Sequence, residues 1–377
     1  MIKALDRRGS DSKKWHKYAG TDILPLWIAD TDFAVDDKIL AAAQARLQHA
    51  VLGYPYNEDD YIGAFVEHCA AQYDWEIEAE WVVPIPGCVP GLNFCRGLSQ
   101  LRGKQAAVTA TPTYPPFFNQ SKMMPEFRHH CVPARWENGQ WSMDFAGMAE
   151  AAARPDSGLL ILCHPHNPLS RVYREEELQE YARIAQVHDL IVCSDEIHCD
   201  LILNGSRHRP FAMLSEDALK RSVTLMAPSK TYNIAGMCAS YAVIADADLR
   251  ADFMRVSQGF ADVNVLGRVM AQAAYREGET WRQAQIAYLQ RNAQEIERRI
   301  AALPPLSVAP LEATYLAFID CRALPVENPQ RYFEQYGLGF ADGADYAAPG
   351  FVRFNFGCSF ELVQEALNRL ETAVKAL

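Results

Sequence analysis

The sequence predicts an α/β protein: a large domain with a mostly parallel mixed sheet sandwiched by helices, plus a smaller α+β domain. Two observations carry this. From about residue 80 to 245, short β-rich apolar runs alternate with amphipathic stretches, the pattern of strand–helix–strand units around a buried sheet. The last third breaks that alternation, with one long polar helix candidate, isolated apolar runs and a glycine-rich turn region.

In chain order, the strand candidates are WVVPIPG from Trp81, QAAVTA from Gln105, GLLILC from Gly158, LIVCSDEI from Leu190, SVTLMAPS from Ser222 and ASYAVIA from Ala239. Between two of them, EEELQEYARIAQVH places Leu178, Tyr181, Ala182 and Ala185 on one helical face. Beyond these, a helix is expected around 280–302, and ATYLAFID and GFVRFNF read as strands. A terminal amphipathic helix should carry Val363, Leu367, Leu370, Val374 and Leu377 on one face. The expected division is a large domain over 46–255, with 1–45 and 256–377 making the smaller domain.

The chain has 377 residues and a net charge of −11. That balance argues against nucleic acid or an anionic membrane as the main partner. The polar N-terminus has no apolar core of a signal peptide. No apolar run approaches the roughly 18 residues of a membrane span. Ten scattered cysteines without a CxxC pair, several inside apolar strands, read as reduced thiols of a cytoplasmic protein.

Chemistry gathers at the strand ends, where open α/β sheets bind ligands. GLLILC is followed by HPHNP with Asn167; LIVC by SDEIHCD with Asp195 and His198; SVTLMAP by Ser229 and Lys230. Taken singly, most have a structural explanation. Asn-Pro forms turns, an aspartate after a strand caps helices, a serine does the same, and a lone histidine is more often a satisfied core residue. Lys230 resists such an account, because a lysine at the end of a buried strand with no carboxylate beside it in sequence is costly.

One chemistry covers the set. A desolvated lysine has a lowered pKa, and its neutral amine can form a Schiff base with the aldehyde of pyridoxal 5'-phosphate (PLP), an electron sink. Asp195 suits the protonated ring nitrogen and Asn167 the ring hydroxyl, with His198 close enough in sequence to assist. PIPGCVPGLNFCRGL offers a glycine turn and a helix opened by Pro90, whose free N–H groups can hold a phosphate. Tyr114 in TPTYPPF could stack on a flat cofactor, and Arg353 in GFVRFNF could clamp a carboxylate. A metal hydrolase using His164, His166, Asp195, Glu196 and His198 is an alternative that leaves Lys230 unexplained. A binding or regulatory protein on the same scaffold is a further one, against which stand the retained Lys230, Asp195 and Arg353.

Through RRGSDSKKW, LPLWIADTDF, LGYPY, PGCVPGLN, TPTYPPF, HPHNP, SDEIHCDLI, APSKTYNIAG, AAYREGETW, TYLAFIDCRAL and RFNFGCS, the chain resembles fold-type I PLP enzymes of the aminotransferase class I/II superfamily. Within it, the chain is similar to the MalY/PatB-like branch of cystathionine β-lyases and C–S lyases. The resemblance implies that Lys230 is the Schiff-base lysine and acid–base catalyst, Asp195 the pyridinium partner, Asn167 the partner of the ring hydroxyl, and Tyr114 the stacking ring. Backbone N–H groups of Cys88 and Val89, with Ser229, would hold the phosphate. Arg353 would hold the substrate carboxylate, with Ala29 and Asp30 at the same end. Tyr54 would reach the neighbouring subunit's cofactor, which implies a homodimer. The expected reaction is β-elimination from L-cystathionine or a related S-substituted cysteine, with transamination as the rival. His164, Ser170 and Cys199 stand where the family has asparagine, glycine and commonly serine.

Overall fold

The computed structural model describes residues 2–56, 59–119 and 124–377. All six strand candidates of the middle region fall in one seven-stranded sheet. Its spatial order is Val82–Ile85, Ser240–Val243, Ser222–Met226, Ile191–Asp195, Ser157–Cys163, Ala106–Thr111 and Arg128–Pro133. Every neighbouring pair is parallel except those of Ser240–Val243, which runs antiparallel to both its neighbours. The edge strand Arg128–Pro133 is absent from the sequence reading; its residues are mostly polar and alternate with none of the apolar continuity of the central strands.

Alternation of side chains across the pleat divides the core. Leu160 and Leu162 face a cluster with Leu178, Tyr181 and Ile184 of the helix Glu175–Val187. Leu159 and Ile161 face the opposite cluster, with Leu92 and Phe94 of the helix Cys88–Leu101 and Phe253 of Ala247–Val256. Helices therefore cover both faces, as a buried parallel sheet requires. Gly91 lets its helix lie close to the sheet: a Cβ there would stand 2.7 Å from Ile85 Cδ1 and 2.9 Å from Leu225 Cδ2.

A second sheet has five strands, ordered Leu24–Leu26, Leu338–Asp342, Phe351–Asn355, Leu316–Asp320 and Ser307–Val308. ATYLAFID and GFVRFNF supply two of them. The N-terminal strand Leu24–Leu26 pairs in parallel with Leu338–Phe340, so the start of the chain crosses to the part built from its end. The long polar helix spans Glu279–Ala301 and buries Trp281, Leu289, Ile296 and Ile300. The last helix, Phe360–Lys375, buries Val363, Leu367 and Leu370. Leu377 lies past its end and is 49% exposed, so the expected apolar face stops short of it.

All ten cysteines are free, and eight are buried. No helix among the described residues is long and apolar enough to cross a membrane.

Candidate active site

The parallel strands Ser157–Cys163, Ile191–Asp195 and Ser222–Met226 are in register, with Cys163 opposite Asp195 and Asp195 opposite Leu225. Their carboxyl ends open into a cavity of about 770 Å³. Its walls include Ala29, Cys88, Val89, Tyr114, Asn167, Asp195, His198, Ser229, Lys230 and Arg353. Residues separated by more than three hundred positions are thus brought to one crevice, at the place where open sheets bind ligands.

Lys230 follows the strand Ser222–Met226 and donates from Nζ to the Ala29 carbonyl at 2.8 Å. Burial pushes its ammonium below the ordinary lysine value, against the opposing charge of Asp30. Asp195 ends its strand with 6% of its surface exposed. Burial raises its carboxyl to about 7, opposed by one hydrogen bond from the Ile197 N–H at 3.2 Å. His198 is held at about 3, first by burial and then by the charges of Lys230 and Arg353, so it is neutral. Its Nδ1 is buried and has no partner among the described residues.

The other wall comes from the second sheet and the N-terminal segment. Arg353 sits on the strand Phe351–Asn355, donates from Nη1 to Asn167 Oδ1 at 3.1 Å and from Nη2 to the Trp27 carbonyl at 2.6 Å. Its guanidinium lies 4.6 Å from the centre of the Tyr346 ring. Its Nε is buried and unpartnered among the described residues. Tyr114 packs edge-on to Phe117 at 5.8 Å, and burial raises its hydroxyl to about 12.

The helix Cys88–Leu101 points its N-terminus at the cavity. Gly87 precedes it at φ 138°, a conformation that favours glycine, and no side chain caps the helix there. The first N–H groups of a helix have no partner inside it, so those of Cys88 and Val89 are available to an anion. The helix starts two residues ahead of Pro90, which lies in its first turn.

Two expected residues sit apart from this constellation. The Asp30 carboxylate turns to Arg7 at 2.9 Å rather than into the cavity. Tyr54 is fully exposed, at 102%, beside Val51, Leu52 and Tyr56 on one surface segment. The residues of the metal reading do not converge: Glu196 is bound by Ser194, by the Phe211 N–H and by His208 at 2.6 Å. No group of three or more potential metal ligands exists among the described residues.

The family departures are accommodated. His164 packs at a tilt against His208 with ring centres 4.4 Å apart, and burial pushes it well below its ordinary value. Ser170 adopts φ 56° and ties its turn to the Ala313 carbonyl and Thr314. Cys199 Sγ lies 3.0 Å from the Tyr73 hydroxyl oxygen, whose proton goes to Asp200. Sequence reasoning missed Tyr346 and Asn355. Asn355 donates to the carbonyls of Ile28, at 2.5 Å, and Asp30, at 2.8 Å. Asn355 has one legible signal, its position two residues after Arg353 on the same strand face; Tyr346 has none beyond a turn-rich stretch.

The aminotransferase class I and II family profile matches residues 21–370. The chain is 33% identical over 386 residues to the cystathionine beta-lyase PatB of Bacillus subtilis (strain 168), an alignment covering 99% of each. Among solved structures, OvoB superposes with a TM-score of 0.94 at 46% identity, over 99% of this chain and 98% of that one. The PLP-bound C–S lyase of Staphylococcus hominis superposes with a TM-score of 0.89 at 29% identity, over 99% and 97%.

Proposed function

We propose, from the premise that this chain belongs to the aminotransferase class I and II family, that it is a PLP-dependent carbon–sulfur β-lyase. It cleaves L-cystathionine or related S-substituted L-cysteines to a thiol, pyruvate and ammonia. The observation that carries this reading is Lys230: a desolvated amine in the wall of a cavity that also presents Asp195, Asn167 and Arg353. The names of the B. subtilis and S. hominis proteins point to the same chemistry.

The residues fit PLP. The helix N-terminus behind Gly87 suits its phosphate, and the unpartnered His198 Nδ1 and Arg353 Nε are buried polar atoms that await a polar ligand. Cys88 and Val89 would hold the phosphate with Ser229, joined by Tyr54 of the partner subunit. Asp195 would pair with the ring nitrogen, Asn167 with the ring hydroxyl, His198 would flank it, and Tyr114 would stack on the ring. When bound, PLP supplies an aldehyde for the lysine and a sink for the electrons released at Cα.

The chain's own groups do the rest. Arg353 holds the substrate carboxylate by a forked pair of hydrogen bonds, with Ala29 and Tyr114 bounding that end, while the expected Asp30 carboxylate is engaged by Arg7 instead. The lowered pKa of Lys230 lets a neutral Nζ take the Cα proton. The Ala29 carbonyl then accepts from the resulting ammonium. The Cβ–S bond breaks with its electron pair on sulfur, and one water completes the conversion of the remaining carbons to pyruvate and ammonia.

In this reading the large domain, 46–255, carries the cofactor residues, while 1–45 and 256–377 carry Ala29, Asp30 and Arg353. The exposed segment with Val51, Leu52 and Tyr54 supports a homodimer with shared sites. Eight buried free thiols suit the reducing cytoplasm. The test is incubation with L-cystathionine, assaying pyruvate and thiol together. Equal amounts of both are expected, and Lys230→Ala should lose at least about 10³-fold in rate. A PLP-loaded protein that yields an α-keto acid without thiol is instead an aminotransferase.

A further inference from the structure

Lys14 is a second buried lysine, with 0% of its surface exposed. Its Nζ lies 2.7 Å from Asp32 Oδ2 and 3.2 Å from the Asp30 carbonyl. Asp32 Oδ1 accepts from Trp15 Nε1 at 2.9 Å. Arg7 Nη1 adds contacts to Asp30 Oδ2 at 2.9 Å and the Thr31 carbonyl at 3.0 Å. None of Arg7, Lys14 and Asp32 lines the catalytic cavity. A buried ion pair is a poor way to gain stability, since apolar side chains of the same volume do as well or better. Its use here is geometric.

The backbone these groups grip is the same backbone that faces the cavity. The Trp27 carbonyl accepts from Arg353 and the Ala29 carbonyl from Lys230, while Lys14 and Arg7, outside the cavity lining, bind the carbonyls of the next two residues, Asp30 and Thr31. We infer that the Lys14–Asp32 pair, assisted by Arg7, positions the segment 27–31 so that Arg353 and Lys230 are held for the substrate's carboxylate and amine. The inference rests on the roles given to those two residues above, but its test needs no turnover.

L-Alanine has an α-carboxylate and an amine but no group to expel from Cβ, so its affinity for the PLP-loaded protein reads the positioning alone, through the change in cofactor absorbance. Lys14→Met should weaken L-alanine binding about tenfold or more, the equivalent of one lost charged hydrogen bond. Arg7→Met, at a side chain 25% exposed, should weaken it about threefold. Cofactor content should be unchanged in both, and amide hydrogen exchange over 27–31 should quicken. A merely structural role would lower the melting temperature and leave L-alanine affinity as it is, which overturns the inference. If Lys14→Met does not fold, unchanged affinity in Arg7→Met is enough to overturn it. Failure of the lyase reading shows separately, as absent pyruvate with L-alanine binding intact.

Discussion

Asp195 and Asp200 lie on one stretch of chain and are both buried, yet their surroundings treat them in opposite ways. Asp195 has one backbone hydrogen bond, and burial lifts it to about 7. Burial acts on Asp200 in the same direction but is outweighed. His68 Nε2 at 2.9 Å, the Tyr73 hydroxyl and the charge of Arg282 hold its carboxyl well below the usual range. One carboxyl is left short of partners beside a lysine whose ammonium is also disfavoured; the other is satisfied by its own protein. The difference separates a group kept for a ligand from one spent on the fold, although the two aspartates are only five residues apart.

Three substitutions sharpen or break that contrast. Asp200→Ala strands His68 and Tyr73 and should cost about 3–5 kcal/mol in thermal or denaturant unfolding. Activity per folded molecule should stay within a factor of about three. A variant of normal stability would remove Asp200 from the structural side. Asp195→Asn should do the reverse, lowering activity about 10²- to 10³-fold. Because the folded value of Asp195 lies above its unfolded one, its favourable contribution is present near pH 4 and disappears as pH rises through about 7. The cofactor-free Asn variant should therefore match cofactor-free wild type near pH 4 and melt higher above pH 7, by at most about 4 kcal/mol. Equal melting at pH 8 would show that Asp195 has a partner in the free protein. The smallest effect is expected from Tyr114→Ala, which removes the proposed stacking ring: about tenfold in PLP affinity, read by equilibrium dialysis, with little change in stability.

Much of this arrangement is legible in residue patterns, and the exceptions have causes. Central strands such as GLLILC declare themselves because both faces are buried, and the polar residues after them mark the carboxyl edge. The edge strand Arg128–Pro133 keeps one flank in solvent and loses that signature. Lys230 stands out because its preceding run is apolar. Lys14 does not, because Lys13, His16 and Lys17 around it read as a solvated charge run, and its burial is set by Asp32 across a fold the local sequence does not describe. Tyr346 is equally silent: a tyrosine in a turn-rich stretch acquires meaning only when Arg353 lies over its ring.

The N-terminal strand carries a consequence for how the molecule comes into being. Leu24–Leu26 finds its partner at Leu338–Phe340, and Tyr18 hydrogen-bonds Glu334, 316 positions away. During synthesis the first segment therefore leaves the ribosome long before its partner strand exists, while the seven-stranded sheet can assemble in between. The segment that follows this strand brings Ala29 to Lys230 and Trp27 to Arg353. A chain that has not yet reached Arg353 holds the lysine without the wall that confines it.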